Sequence, residues 1–372
     1  MVKIHKLNTS NLIILFSILL VILLLFNSIF TVGLSSKYNN LIEFAKEEAR
    51  PSNLEIIKIK APSDCSNCFN LLPVINDLKS KNVNIINEKE LNLNDAQDLI
   101  SKYNIKKLPT FILKGEINRT NLGENYLETE DVVIFNALEP VYYDAELNQQ
   151  IGLVKATIIK PDNCEKCFDL DSVLEQIKSL NVFIEKEEIL TEIEGAELIK
   201  KYNLQKLPVL ILSEDFKAYE SSSVIWEKLN GELDNSGNFL LRDVLPPFKD
   251  LKTKEIKGLV NVKYLSDKSC TECYNVIVHK NILGNFGIIP IKEETIDISS
   301  EEGKKLKDLY KIVKVPTVII SKEAADYQSF EEIFLQVGTK EKDNTYIFRK
   351  AEIMGTYKDL EQNKVIEPVK GK

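Results

Sequence analysis

Six cysteines stand in three pairs, Cys65-Ser66-Asn67-Cys68, Cys164-Glu165-Lys166-Cys167 and Cys270-Thr271-Glu272-Cys273, with none left over. Two thiols at this spacing can form a redox pair, a staple or half of a metal site. So local a disulfide closes a very small loop and constrains the unfolded chain little, which makes it a poor staple. Placed after a strand and opening a helix, the first thiol of each pair lies where unpaired N–H groups and the helix dipole favour thiolate. The second, about one turn on, is near enough to release a mixed disulfide. Structural zinc takes four Cys or His ligands, whereas the chain adds only His5 and His279 to its paired thiols. His279, six positions past Cys273, is expected on the far side of a helix as a solvated residue, so no metal ligand is assigned.

The elements that must hold these pairs are written three times. Cys65-Ser66-Asn67-Cys68-Phe69 aligns with Cys164-Glu165-Lys166-Cys167-Phe168 at an offset of 99. Without a gap, the same offset carries Lys102-Tyr103-Asn104 onto Lys201-Tyr202-Asn203, and Lys107-Leu108-Pro109 onto Lys206-Leu207-Pro208. A more diverged third copy starts at Cys270 and reaches Tyr310 and Val315-Pro316-Thr317. The joints repeat too: Tyr143-Asp144, Lys249-Asp250 and Lys358-Asp359 occupy like places, and none of the linkers is a Gly/Ser run. The boundaries read as an N-terminal tail and transmembrane helix at 1–36, a juxtamembrane linker at 37–51, modules at 52–148, 149–254 and 255–359, and a tail at 360–372.

Within one unit, residues 54–60 form a β-branched strand, followed by a Pro-Ser-Asp turn and the cysteines. Residues 68–79 read as a helix, with Leu71, Leu72, Ile75 and Leu78 on one face. A second strand at 83–86 precedes a helix that opens near Asn94 and ends on Asn104, a residue tolerant of the left-handed cap. In the third copy Ser299 and Glu302 occupy the like opening. Leu108-Pro109-Thr110 then leads into a strand at 111–113. Residues 226–241 and 334–348 read as strand-turn-strand, and Gly231 and Gly338 precede Arg242 and Arg349 by the same distance.

Residues 12–34 carry no charge and are long enough to span a bilayer, longer than the apolar core of a cleaved signal peptide. Lys3 and Lys6 before the span balance Lys37 and Lys46 after it, so the short N-terminal tail decides an N-terminus-cytoplasmic, modules-outside orientation. A net charge of −8 argues against nucleic acid as the main partner, because phosphate binding needs a basic surface.

Strand, Cys-x-x-Cys, helix, strand, helix and a Tyr-bearing helix end before Leu108-Pro109-Thr110 resemble the thioredoxin superfamily. The resemblance implies an α/β fold: three tandem thioredoxin-like domains, each a mixed sheet flanked by helices with an extra terminal β-hairpin, after one transmembrane helix. It implies that Cys65, Cys164 and Cys270 are nucleophiles and Cys68, Cys167 and Cys273 resolving thiols. It also makes Pro109, Pro208 and Pro316 cis, with the backbone of Leu108, Leu207 and Val315 pairing with an extended substrate strand. Pro73 matches a helix-kinking proline of the family. Ile59, Ile158 and Tyr264 fall where well-known thioredoxins carry a buried acid. Lys166 should favour thiolate in the second pair, offset by Glu165, while Glu272 and Asp64 should disfavour it in the third and first. The expected function is an extracytoplasmic thiol-disulfide oxidoreductase or isomerase, anchored through residues 12–34 and acting without a cofactor. Its partners would be thiols or disulfides of secreted or membrane proteins and a recycling redox partner. A non-catalytic scaffold is the alternative, and thiol-based metal delivery the third reading.

Overall fold

The computed structural model describes residues 9–368; Lys3, His5, Lys6 and the last four residues of the C-terminal tail lie outside them. The chain divides into two compact units, one holding the chain to Leu138 with Tyr142–Gln149, the other holding Glu139–Val141 and the chain from Gln150.

In the first unit a helix runs from Thr9 to Ala49 without a break, so most of the expected linker at 37–51 is helical. Its best apolar window has a mean hydropathy of 2.9, with side chains such as Leu20 and Phe26 exposed. At 1.5 Å per residue the helix is about 60 Å long, roughly twice the hydrocarbon thickness. Its charged half therefore extends beyond any bilayer its apolar half could cross. Two of the chain's four arginines hold its foot. Arg50 donates through both terminal nitrogens to Glu116, at 2.6 and 2.5 Å, and Arg119 reaches Glu47 at 3.1 Å.

The first sheet has the order Val83–Leu91, Ser52–Ile59, Thr110–Gly115, Val133–Phe135, Tyr126–Glu128. The first two strands are parallel and the rest antiparallel. The period-2 alternation of strand side chains explains the layers. Leu54, Ile56, Phe111 and Leu113 face the helix Leu72–Ser80 through Ile75 and Leu78. Ile59, Ile112 and Ile134 face the helix Gln97–Tyr103 through Ile100 and Tyr103. That second helix ends on Asn104 in the left-handed conformation.

The second unit contains the same arrangement twice. One sheet runs Ile184–Leu190, Val154–Ile159, Val209–Leu212, Phe239–Leu241, Glu232–Leu233, between the helices Leu170–Ser179 and Ala196–Lys201. The other runs Lys292–Asp297, Asn261–Ser266, Thr317–Ile320, Tyr346–Phe348, Gly338–Lys340, beside the helices Val278–Gly284 and Glu301–Tyr310. The capping serine of the last helix is Ser300, one residue later than expected, accepting from Gly303 N at 3.0 Å. Each sheet is a mixed α/β layer of thioredoxin-like strand order, flanked by helices.

The terminal hairpins begin later than the sequence pattern implies. Trp226 closes into the helix Ser222–Lys228, and Phe334 ends the helix Phe330–Phe334. Gly231 lets the chain turn against the Trp226 ring, because a Cβ there would lie 2.2 Å from Nε1. The Gly–Arg spacing also has a reason. Arg242 donates to Tyr202 O at 3.2 Å and Arg349 to Tyr310 O at 2.7 Å, satisfying carbonyls at helix ends across the sheet.

Candidate active sites at the cysteine turns

All three pairs are disulfides, with Cα–Cα distances of 5.3 Å for Cys65–Cys68, 5.4 Å for Cys164–Cys167 and 5.5 Å for Cys270–Cys273. The helix expected over 68–79 starts only at Leu72, and its counterparts start at Leu170 and Val278. The cause is local. Asn70 Oδ1 accepts from Leu72 N at 3.0 Å, Asp169 Oδ1 from Ser172 N at 3.2 Å, and Asn275 Oδ1 from Ile277 N at 3.0 Å. Such side chains compete with the helical backbone and set its start after the cysteines. Pro73 accordingly sits in the first turn, where a missing N–H costs nothing, and does not kink the helix. The thiols thus occupy a tight turn ahead of the helix, as in Cys68 N→Cys65 O at 3.3 Å, and the dipole acts on them from several residues away.

The peptide bonds Leu108–Pro109, Leu207–Pro208 and Val315–Pro316 are cis. Cys68 Sγ lies 3.9 Å from Leu108 O, which brings the first cysteine turn against the proline loop. After the proline, the buried hydroxyls of Thr110 and Thr317 donate to Phe135 O and Phe348 O, each at 2.6 Å. Cys65 is only 7% exposed.

The residues ahead of these prolines are already paired. Lys107–Leu108 forms an antiparallel ladder with Tyr142–Asp144, Lys206–Leu207 with Phe248–Asp250, and Lys314–Val315 with Tyr357–Asp359. The sequence showed these stretches as repeated joints, but nothing local told where they dock.

His279 corrects the sequence expectation most sharply. It is 3% exposed, not solvated, and its Nε2 lies 3.0 Å from the hydroxyl of Tyr274, the residue after Cys273. That hydroxyl donates to the carbonyl of cis-Pro316 at 2.7 Å, so Nε2–H is the donor to it. Counting helical turns from Cys273 placed His279 wrongly because the helix starts at Val278. Burial lowers the imidazole pKa to about 4 and pushes the Tyr274 phenol up. His279 also borders an apolar cavity of about 250 Å³ lined by residues including Leu283, Phe286, Phe330 and Phe334. Val74 and Val173 hold its place in the other two copies. Among the described residues, no three His, Cys, Asp or Glu side chains group as a metal site.

No model of a known protein family matches the chain, and no curated protein does. Among solved structures, the alkylhydroperoxide reductase component AhpF of Enterococcus faecalis is 19% identical, over 45% of this chain and 81% of that one, with a TM-score of 0.14. Human ERp44 is 12% identical over 75% of this chain and 80% of its own, with a TM-score of 0.14. ERdj5 is 12% identical, with a TM-score of 0.15, and the match takes 75% of this chain but only 39% of ERdj5. It is the chain's own strand order, repeated in three mixed sheets flanked by helices, that gives it the thioredoxin-like fold.

Proposed function

We propose that the chain is a membrane-anchored thiol-disulfide oxidoreductase or isomerase with three modules, at 52–148, 149–254 and 255–359. The observation that carries this is the threefold recurrence of a disulfide-bonded Cys-x-x-Cys turn and a proline loop, in contact in the first module, where Cys68 Sγ lies 3.9 Å from Leu108 O. In the reducing direction, the thiolate of Cys65, Cys164 or Cys270 attacks a substrate disulfide. One sulfur is released as thiolate and a mixed disulfide forms. Cys68, Cys167 or Cys273 then loses its proton and attacks the module's own sulfur in that bond. The module ends as a disulfide, and the substrate leaves as two thiols carrying two electrons and two protons. A dithiol donor must restore the module, and an isomerase or oxidase runs the same steps in other orders. Leu108, Leu207 and Val315, with Pro109, Pro208 and Pro316, form the loop on which a polypeptide substrate would lie. In this reading residues 12–34 are the bilayer anchor, and the short N-terminal tail stays in the cytosol with the modules outside, where disulfides persist.

A non-catalytic scaffold is favoured by one observation, the near-complete burial of Cys65. Disulfide reduction or oxidative refolding by the purified full chain, lost when Cys65, Cys164 and Cys270 are all changed to Ser, supports the enzyme. Biological activity retained in that triple variant supports the scaffold instead.

A further inference from the structure

The strand that returns to each cysteine turn is docked the same way three times over. In antiparallel ladders, hydrogen-bonded pairs alternate along the strands. Ala145 N donates to Lys106 O at 2.7 Å, so two positions on Leu108 stands opposite Tyr143 in the same hydrogen-bonding phase. Leu251 N→Gln205 O at 2.9 Å and Leu360 N→Val313 O at 2.8 Å set the same phase for Leu207 opposite Lys249 and Val315 opposite Lys358. The backbone groups beside each cis-proline are therefore engaged by the chain itself.

Three further contacts clamp the strand there. An aromatic residue of the strand lies under the lysine of the ladder in every module. Lys107 Nζ is 4.7 Å from the Tyr142 ring centre, Lys206 Nζ 4.8 Å from Phe248, and Lys314 Nζ 5.3 Å from Tyr357. In two modules the residue just ahead of the strand accepts from the residue directly after the second cysteine. Phe168 N donates to Pro247 O at 2.7 Å and Tyr274 N to Thr356 O at 2.8 Å. In the third, Lys358 also reaches back to Asp267, three positions before Cys270, at 2.6 Å. Beyond the strand, Asp144, Asp250 and Asp359 each accept two backbone N–H bonds that close the turn. One register, kept through modules that otherwise diverge, spans the cysteine turn from both sides.

We infer that the returning strand is a built-in occupant of the edge where an extended polypeptide would pair. While it is docked, the cysteines exchange with small disulfides and thiols; they exchange with polypeptide cysteines only when it lifts. This rests on the oxidoreductase reading above and adds the regulation of the same site. The physical basis is competition: a substrate strand needs the N–H and C=O of Leu108, Leu207 or Val315, and those groups cannot serve two partners. The ladder is only two residues long, so its displacement does not require the sheet to open.

The test uses the full reduced chain and a triple variant, Tyr143→Pro, Lys249→Pro and Lys358→Pro, which removes the strand N–H groups facing Leu108, Leu207 and Val315. Two probes share one leaving group: dithiobis(nitrobenzoate), and a short extended peptide whose single cysteine carries thionitrobenzoate. In each case the attacking thiolate forms a disulfide and releases the coloured thionitrobenzoate anion. The variant is expected to lose amide-exchange protection at Leu108, Leu207 and Val315 and to react about tenfold faster with the peptide, the effect of one lost backbone bond. Its rate with the small probe should stay within about twofold. Equal acceleration with both probes, or an unchanged peptide rate despite lost protection, overturns the inference. If the wild-type chain fails to react even with the small probe, the oxidoreductase reading falls and takes the inference with it, an outcome told apart by that rate. Should the proline variant misfold, Tyr142→Ser, Phe248→Ser and Tyr357→Ser together weaken the clamp without touching the ladder. They must shift the two rates in the same unequal way.

Discussion

Acidifying the protein from pH 7 to pH 4.5 should destabilise its third sheet through one residue, His279, and the size of the effect can be worked out. In the unfolded chain the imidazole titrates near 6.5, whereas in the fold burial holds it neutral down to about 4. Between those values the unfolded state takes up a proton that the native state refuses, so stability falls as pH falls through that window. With the two pKa values 6.5 and 4, the loss between pH 7 and pH 4.5 is about 2 kcal/mol. Among the described residues, no carboxylate or cation is hydrogen-bonded to the ring; its partner is the Tyr274 hydroxyl, which also donates to Pro316 O. His279→Leu should therefore cost little at pH 7, about 1 kcal/mol for one hydrogen bond. It should then resist acid better than the wild type. The assay is amide exchange of the Thr317–Ile320 strand in both proteins at the two pH values, because the single tryptophan, Trp226, reports on another sheet. Carboxylates whose pKa is lowered by ion pairs also lose stability in acid, but they are common to both chains and cancel in the difference. Equal losses in the two proteins would falsify the assignment of His279 as a buried neutral group.

Gly338→Ala should destabilise the same sheet by about 1–3 kcal/mol, since its Cβ would meet Phe334 Cε1 at 2.4 Å and Ile347 O at 2.5 Å. Gly284→Ala, with nothing within 4 Å, should be neutral or stabilising in urea unfolding. The Arg50 guanidinium holds the Glu116 carboxyl down to about 2, so this clamp is fully present above pH about 4.5 and is lost as pH falls toward 2. Glu116→Ala should speed exchange of the Asn53 amide, which Glu116 accepts at 2.9 Å; unchanged protection would remove the clamp from the account. Reducing a single cysteine pair should cost no more than about 2 kcal/mol on the loop-entropy relation, read as a small shift in thermal unfolding. Deleting residues 12–34 should move the chain from the membrane pellet to the supernatant, and continued pelleting would count against the anchor.

Much of this fold was legible because the chain repeats itself. Strands such as Thr110–Gly115 alternate cleanly between two cores, and between the first two copies the 99-residue offset runs without a gap from the cysteine pair to the proline loop. The left-handed cap at Asn104 was also visible from residue type. What failed were boundaries set by competing local bonds. Apolar spacing ran the first helix back to Cys68, although Asn70, Asp169 and Asn275 carried the signal for a later start. Trp226 and Phe334 looked like strand residues because aromatic composition favours strands, yet the following glycines let both pack as helix ends against the hairpin. His279 was misplaced by inheritance from that early helix start. The docking of Tyr142–Asp144 on Lys107–Leu108 is a pairing across some 35 positions, and no local pattern encodes it.

The most direct test of the redox role is equilibration of the full chain in thiol-disulfide buffers of stepped potential, with each pair's state read by alkylation and mass. Redox-active pairs should all cycle between dithiol and disulfide in the folded protein, with midpoints between about −270 and −120 mV. Pairs that stay oxidised below about −300 mV, or that reduce only when the chain unfolds, would be structural and would contradict the account.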